Sequence, residues 1–139
     1  MSPTLLITIL ATVLRVSSPD GQVCAEITIS DGVTLSVSHG DDVILKDSRI
    51  DLNTNEGEFG KRFKIKKAVR SHVDETFDTP LYKRSQERSV YNELLLKGRD
   101  NFDLVLRAFD EGFAWRFVYT GKKQLMVFSE QSNFRFEED

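Results

Sequence analysis

The chain has 139 residues, enough for one domain and for burying about two-thirds of its unfolded surface without staples. Hydrophobic residues make up 40%, charged residues 29%, and the net charge is -3, a balance with no electrostatic footprint for nucleic acid or an anionic membrane surface. The single cysteine, Cys24, excludes an intrachain disulfide framework and a zinc site built on cysteines.

In chain order, residues 4–13 (TLLITILATV) form an apolar run of about ten, too short to cross a bilayer as a helix. Two readings of residues 1–12 stand side by side. One is the hydrophobic part of a truncated secretory signal, lacking its positive start and with Ala11 at a cleavage position. The other is a buried first strand, because Thr, Ile and Val suit strands. LRVSS then reads as a strand, and SSPDG as a turn in which Pro19 sets one backbone angle and Gly21 takes a positive one.

QVCAEITIS alternates, placing Val23, Ala25, Ile27 and Ile29 on one face; Cys24 is expected as a small buried residue. Asp31-Gly32 turns the chain, VTLSVS points Val33, Leu35 and Val37 inward, SHGDD turns again, and VILKDSRIDL follows. Tight Gly/Asp turns between alternating segments predict a meander of antiparallel strands. NTNEGEFGKR is polar and loop-like. RFKIKKAV sets Phe63 and Ile65 against Lys64 and Lys66, the pattern of a strand with one wet, lysine-guarded face.

Residues 72–88 (HVDETFDTPLYKRSQER) lose the alternation and read as a long loop. It returns in SVYNELLLKG, FDLVLRAF and the hairpin RAFDEGFAWRFVY, whose turn would place Gly112 at a positive angle. KKQLMVFSEQ and SNFRF close the chain. Repeats, low-complexity tracts and linkers are lacking. The fold class is all-β, an antiparallel β-sandwich.

Few residues carry chemistry. A glycine-rich phosphate loop and a nucleophile elbow are missing. His39 falls in a turn, and His72 opens the irregular stretch. Paired carboxylates flanking a sugar bond could hydrolyse it, but adjacent Asp74 and Glu75 would point apart on a strand. In the hairpin, Phe113, Trp115, Phe117 and Tyr119 share one face. Arg116 takes the other, to pair with a sheet carboxylate such as Glu93 or to offer its planar fork to a sugar or a neighbouring domain.

SSPDG, FGKRFKI, VDETF, RSVYNELLL, LRAFDEGFAWRF and SNFRF occur in an order and spacing that resembles the N-terminal domain of glycoside hydrolase family 97, from about Val13 to Phe136. The family includes bacterial α-glucosidases and α-galactosidases. The resemblance implies that residues 13–139 are part of a β-super-sandwich similar to the galactose mutarotase fold. It implies a calcium-dependent, periplasmic or secreted parent enzyme in which such a domain packs on a catalytic (β/α)8 barrel and meets an α-linked oligosaccharide. A barrel needs about 250 residues, so this chain does not contain one, and no catalytic, cofactor or metal residue carries over. The candidate sugar or barrel contacts are Asp74, Glu75, Tyr82, Tyr91, Asn92, Glu93 and Arg116.

The function this implies is non-catalytic: bracing the barrel and shaping its pocket. The alternative is a free-standing carbohydrate-binding module with Trp115, Tyr82 or Tyr91 as stacking platforms. A β-domain that binds only protein, and a small mutarotase-like enzyme using His72 with Asp74 or Glu75, are further readings. No reading calls for nucleic acid or a membrane span.

Overall fold

A computed structural model describes residues 11–30, 32–54, 57–59, 63–78, 86–99, 101–121 and 127–133. Most of the 1–12 leader segment, Tyr82 and the end of SNFRF lie outside the described residues. The elements are all strands: β1 (Thr12–Ser17), β2 (Val23–Ile29), β3 (Val33–His39), β4 (Asp42–Thr54), β5 (Gly57–Phe59), β6 (Ile65–Asp78), β7 (Gln86–Gly98), β8 (Phe102–Phe109), β9 (Gly112–Tyr119) and β10 (Val127–Asn133). Among the described residues no helix is long and apolar enough to cross a membrane.

One sheet runs β1-β2-β3-β4-β10, with β5 also against β4; the other runs β6-β7-β8-β9. All pairings are antiparallel. The alternation read from the sequence is the alternation of the pleat. Val23, Ala25, Ile27 and Ile29 of β2, with Val33, Leu35 and Val37 of β3, are buried against Leu94, Leu96, Phe102, Leu104, Leu106 and Ala108 of the second sheet. Each fully buried leucine or isoleucine, such as Ile27, Leu35, Leu94 or Leu104, contributes roughly 1.5–3 kcal/mol. Phe113, Trp115, Phe117 and Tyr119 close this layer from β9, half-buried and packed on the core as their shared face predicts.

The SSPDG turn forms as read: the N–H of Gly21 donates to the carbonyl of Ser18 at 2.9 Å, and Gly21 has φ +76°. At the β8–β9 turn the expectation fails, because among the described residues the positive-φ glycines are Gly21 and Gly40, and Gly112 is not among them.

Three further expectations are corrected. Cys24 is half-buried on the face of β2 turned away from the core, because the pleat puts Val23 and Ala25 inward. NTNEGEFGKR is not wholly a loop: β4 continues to Thr54, and Gly57–Phe59 pairs back on it.

Within residues 72–88, positions 72–78 and 86–88 are strand rather than loop. Strands β6 and β7 form one hairpin whose register runs without interruption from Lys67↔Lys97 to Asp78↔Gln86. Beyond Ile65, β6 is half-buried only at Val69 and Val73, every fourth residue, so an edge strand wet on most of both faces shows no period of two.

Candidate functional site

The register of the second sheet sorts the candidate residues by face. His72↔Asn92 and Asp74↔Val90 lie on the face shared with Leu94 and Leu106. Val73↔Tyr91, Glu75↔Ser89 and Glu93↔Arg107 lie on the other. Asp74 and Glu75 therefore diverge, as adjacent strand residues must.

On the first face, β1 is the neighbour. Asn92 Nδ2 donates to the carbonyl oxygen of Ser17 at 2.7 Å, which turns its Oδ1 toward His72 Nδ1, also at 2.7 Å. An amide oxygen only accepts, so Nδ1 of His72 carries the proton in that contact. Arg70, two residues earlier, donates to the carbonyl oxygen of Arg15. These groups line a groove of about 490 Å³ with Arg15, Ser17 and Glu93. The groove is polar, but its strongest donors are spent on the backbone of β1.

Asp74 is held by Arg88 in a two-pronged contact, Nε to Oδ1 at 2.9 Å and Nη2 to Oδ2 at 2.6 Å. The Arg88 hydrogen bond keeps the Asp74 carboxyl below its ordinary pKa. That carboxylate stays ionised and is unsuited to donate a proton to a leaving group.

On the other face Glu93 accepts from Arg107 Nε at 2.9 Å, and the Arg107 guanidinium lies 4.7 Å from the centre of the Tyr91 ring. Tyr91 packs against Phe109, ring centres 4.9 Å apart. Arg116 is not the partner of Glu93. It is exposed, sits opposite Val105, and lines a small pocket of about 100 Å³ with Arg107, Ala114 and Trp115. Sequence reading chose the wrong arginine. The signal was available: the β7–β8 loop is centred on residue 100, and Glu93 and Arg107 stand equally far from it, as their pairing shows.

Among the described residues no three His, Cys, Asp or Glu side chains converge to hold a metal ion. Asp74 and Glu93 are each engaged by an arginine on opposite faces of the sheet rather than facing a common point. Fold and site thus define a two-layer antiparallel β-sandwich.

The family model described as "Glycosyl-hydrolase 97 N-terminal" matches residues 16–139, and the chain belongs to that family. It is 35% identical over 124 residues to a retaining alpha-galactosidase of Bacteroides thetaiotaomicron, covering 88% of this chain and 19% of that protein. Among solved structures it is similar to a β-arabinopyranosidase, with TM-score 0.78, 25% identity, and coverage of 90% of this chain and 21% of that one. A glycoside hydrolase family 97 enzyme from Pseudoalteromonas sp. strain K8, solved with acarbose, matches with TM-score 0.74 and 20% identity over 88% of this chain and 20% of that one. The chain spans about a fifth of the length of these relatives.

Proposed function

We infer that the chain acts as the non-catalytic N-terminal β-sandwich of a family 97 glycoside hydrolase, bracing a catalytic (β/α)8 barrel and helping to shape its α-glycoside pocket. The observation that carries this reading is the face of the second sheet turned away from the first. Tyr91 and Val105 on that face are each only 6% exposed, yet neither belongs to the sandwich core. Val69, Val73, Leu95 and Phe109 are half-buried around them. An antiparallel sheet with one free face ordinarily presents polar residues there. This face instead carries an apolar patch of Val69, Val73, Tyr91, Leu95, Val105 and Phe109 among charged residues such as Glu93 and Arg107, which suits a further layer of protein.

Of the candidate contacts, Tyr91, Glu93, Glu75 and Arg116 share that face and would meet the barrel. Asn92 belongs to the groove beside β1, which Glu93 also lines, and Asp74 lies on the same face of the sheet as Asn92, held by Arg88. The parent enzyme's calcium, its α-linked oligosaccharide substrate and a periplasmic or secreted location belong to this reading through family membership. A free-standing sugar-binding module is the weaker reading: of the platforms Trp115, Tyr82 and Tyr91, Trp115 packs on the core and Tyr91 is buried.

The test pairs two measurements. The purified chain is assayed on aryl α-glucosides and α-galactosides, then titrated with a separately produced family 97 barrel encoded in the adjoining DNA. The expected result is no turnover by the chain alone and saturable binding that Tyr91→Ala weakens. Steady turnover by the chain alone, abolished in Asp74→Ala or Glu75→Ala, would overturn the reading.

A further inference from the structure

On the face of the second sheet turned away from the first, β8 and β9 lay out a tile of four residues. Val105 stands opposite Arg116, and Arg107 opposite Ala114. The two arginines are therefore diagonal neighbours on one face, close enough for long side chains to meet. Ala114 puts only a methyl group between them. The gap is the pocket of about 100 Å³ lined by Val105, Arg107, Ala114, Trp115 and Arg116.

The charges around this pocket do not balance. Arg107 gives its Nε to Glu93 at 2.9 Å, so one cation is neutralised. Arg116 is exposed and, among the described residues, makes no hydrogen bond, ion pair or ring contact. One uncompensated positive charge thus stands beside Val105, which is only 6% exposed. Two guanidinium groups at this spacing repel, and an anion between them turns that repulsion into attraction. Size decides which anion. Small-molecule sites occupy about 300–1,000 Å³. This pocket is well below that range, too small to seat a sugar ring, but it admits the carboxylate at the tip of a side chain. The planar fork of a guanidinium matches that group.

We propose that Arg116, with Arg107 beside it, receives one Asp or Glu side chain of the barrel that covers this face, and that the contact keys the barrel's position. The proposal rests on the preceding reading, in which a barrel packs here, and adds the chemistry of the contact. The apolar patch around Tyr91 runs up to the pocket through Val105, so the anion arrives on a protein surface rather than as a free acid. Covering the face removes Arg116 from water, and a buried cation without a counter-charge is costly, so the covering layer must bring an anion. A second copy centred on the tile would instead set one uncompensated arginine against another, because a two-fold contact uses the same patch twice. The chain spans about a fifth of the length of its relatives, which carry the remaining polypeptide.

The test titrates the chain with the barrel encoded in the adjoining DNA. Arg116→Gln is expected to weaken binding about 10- to 100-fold and to flatten its salt dependence. The melting temperature of the chain alone should not move, because Arg116 has no partner there to lose. Arg116→Lys keeps the charge without the fork and should recover part of the affinity. The same variant locates the acid. A carbodiimide joins the introduced amine to a carboxylate it touches, forming an amide while the carbodiimide leaves as a urea. Mass spectrometry is expected to show that amine linked to one Asp or Glu of the barrel. Wild-type binding that Arg116→Gln leaves unchanged overturns the proposal and leaves the bracing reading standing. A link to a second copy of the chain, or no link in a complex that still forms, overturns it too. Unchanged affinity with a raised KM for aryl α-glycosides overturns it by giving Arg116 to the sugar. Failure of the wild-type chain to bind the barrel at all overturns both readings together.

Discussion

The carboxylate of Asp110 accepts a hydrogen bond from the backbone N–H of Asp20 at 2.9 Å, across 90 residues of sequence. It ties the β8–β9 turn of one sheet to the β1–β2 turn of the other. Asp20 in turn organises its own loop: it accepts from the Ser18 hydroxyl at 2.7 Å and from the Gln22 N–H at 2.9 Å. The Ser18 hydrogen bond, followed by the Gln22 N–H, keeps the Asp20 carboxyl below its ordinary pKa. A depressed carboxyl stabilises the fold above its unfolded value, and that contribution disappears as pH falls through the folded value. Asp20→Ala is therefore expected to melt below the wild type at pH 7. The gap should close as the pH is lowered beneath about 4, where the unfolded carboxyl is protonated. A gap of constant size down to acid pH would remove the charge from this account.

Much of this architecture is legible in the residues. The face of Val23, Ala25, Ile27 and Ile29, the SSPDG turn and the aromatic row from Phe113 to Tyr119 follow from a period of two and from turn chemistry. Three features are not legible, each for its own reason. Strand β6 looks like a loop because a wet edge strand has no buried side to mark. The pairing of Glu93 with Arg107 rather than Arg116 is legible only once the loop between β7 and β8 has set the register, since neither strand alone names its partner. The link between Asp110 and Asp20 joins two turns in different sheets, and no local pattern reports how sheets stack.

The Glu93–Arg107 pair is partly buried, with side chains 20% and 33% exposed, and its cation also lies over Tyr91. Removing one partner leaves a poorly solvated charge. Arg107→Ala is expected to cost about 1–3 kcal/mol in urea unfolding. Arg107→Lys should recover only part, because an ammonium cannot both fork to the carboxylate and lie flat on the ring. Full recovery in Arg107→Lys would mean that charge alone matters at this position.

Asn92 bridges His72 and the carbonyl of Ser17 and so closes the open edge of β1. Asn92→Leu keeps the bulk but leaves that carbonyl without its side-chain donor. A loss of about 1 kcal/mol is expected, with faster amide exchange concentrated in β1. Uniform change across both sheets would point to a packing defect instead of a lost cap.

Two glycines give opposite expectations, though both stand next to hairpin loops. A Cβ on Gly98 would run into the carbonyl oxygen of Phe102 and the ring of Phe63. The obstruction includes backbone, which cannot swing aside, so Gly98→Ala should destabilise by roughly 1–3 kcal/mol. At Gly112 a Cβ meets nothing within 4 Å, and the residue is outside the left-handed region. Gly112→Ala should then stabilise by up to about 1 kcal/mol, chiefly by restricting the unfolded chain. Urea unfolding of both variants decides the matter. Loss of stability at Gly112 would show that the β8–β9 turn depends on a backbone freedom that its geometry does not display.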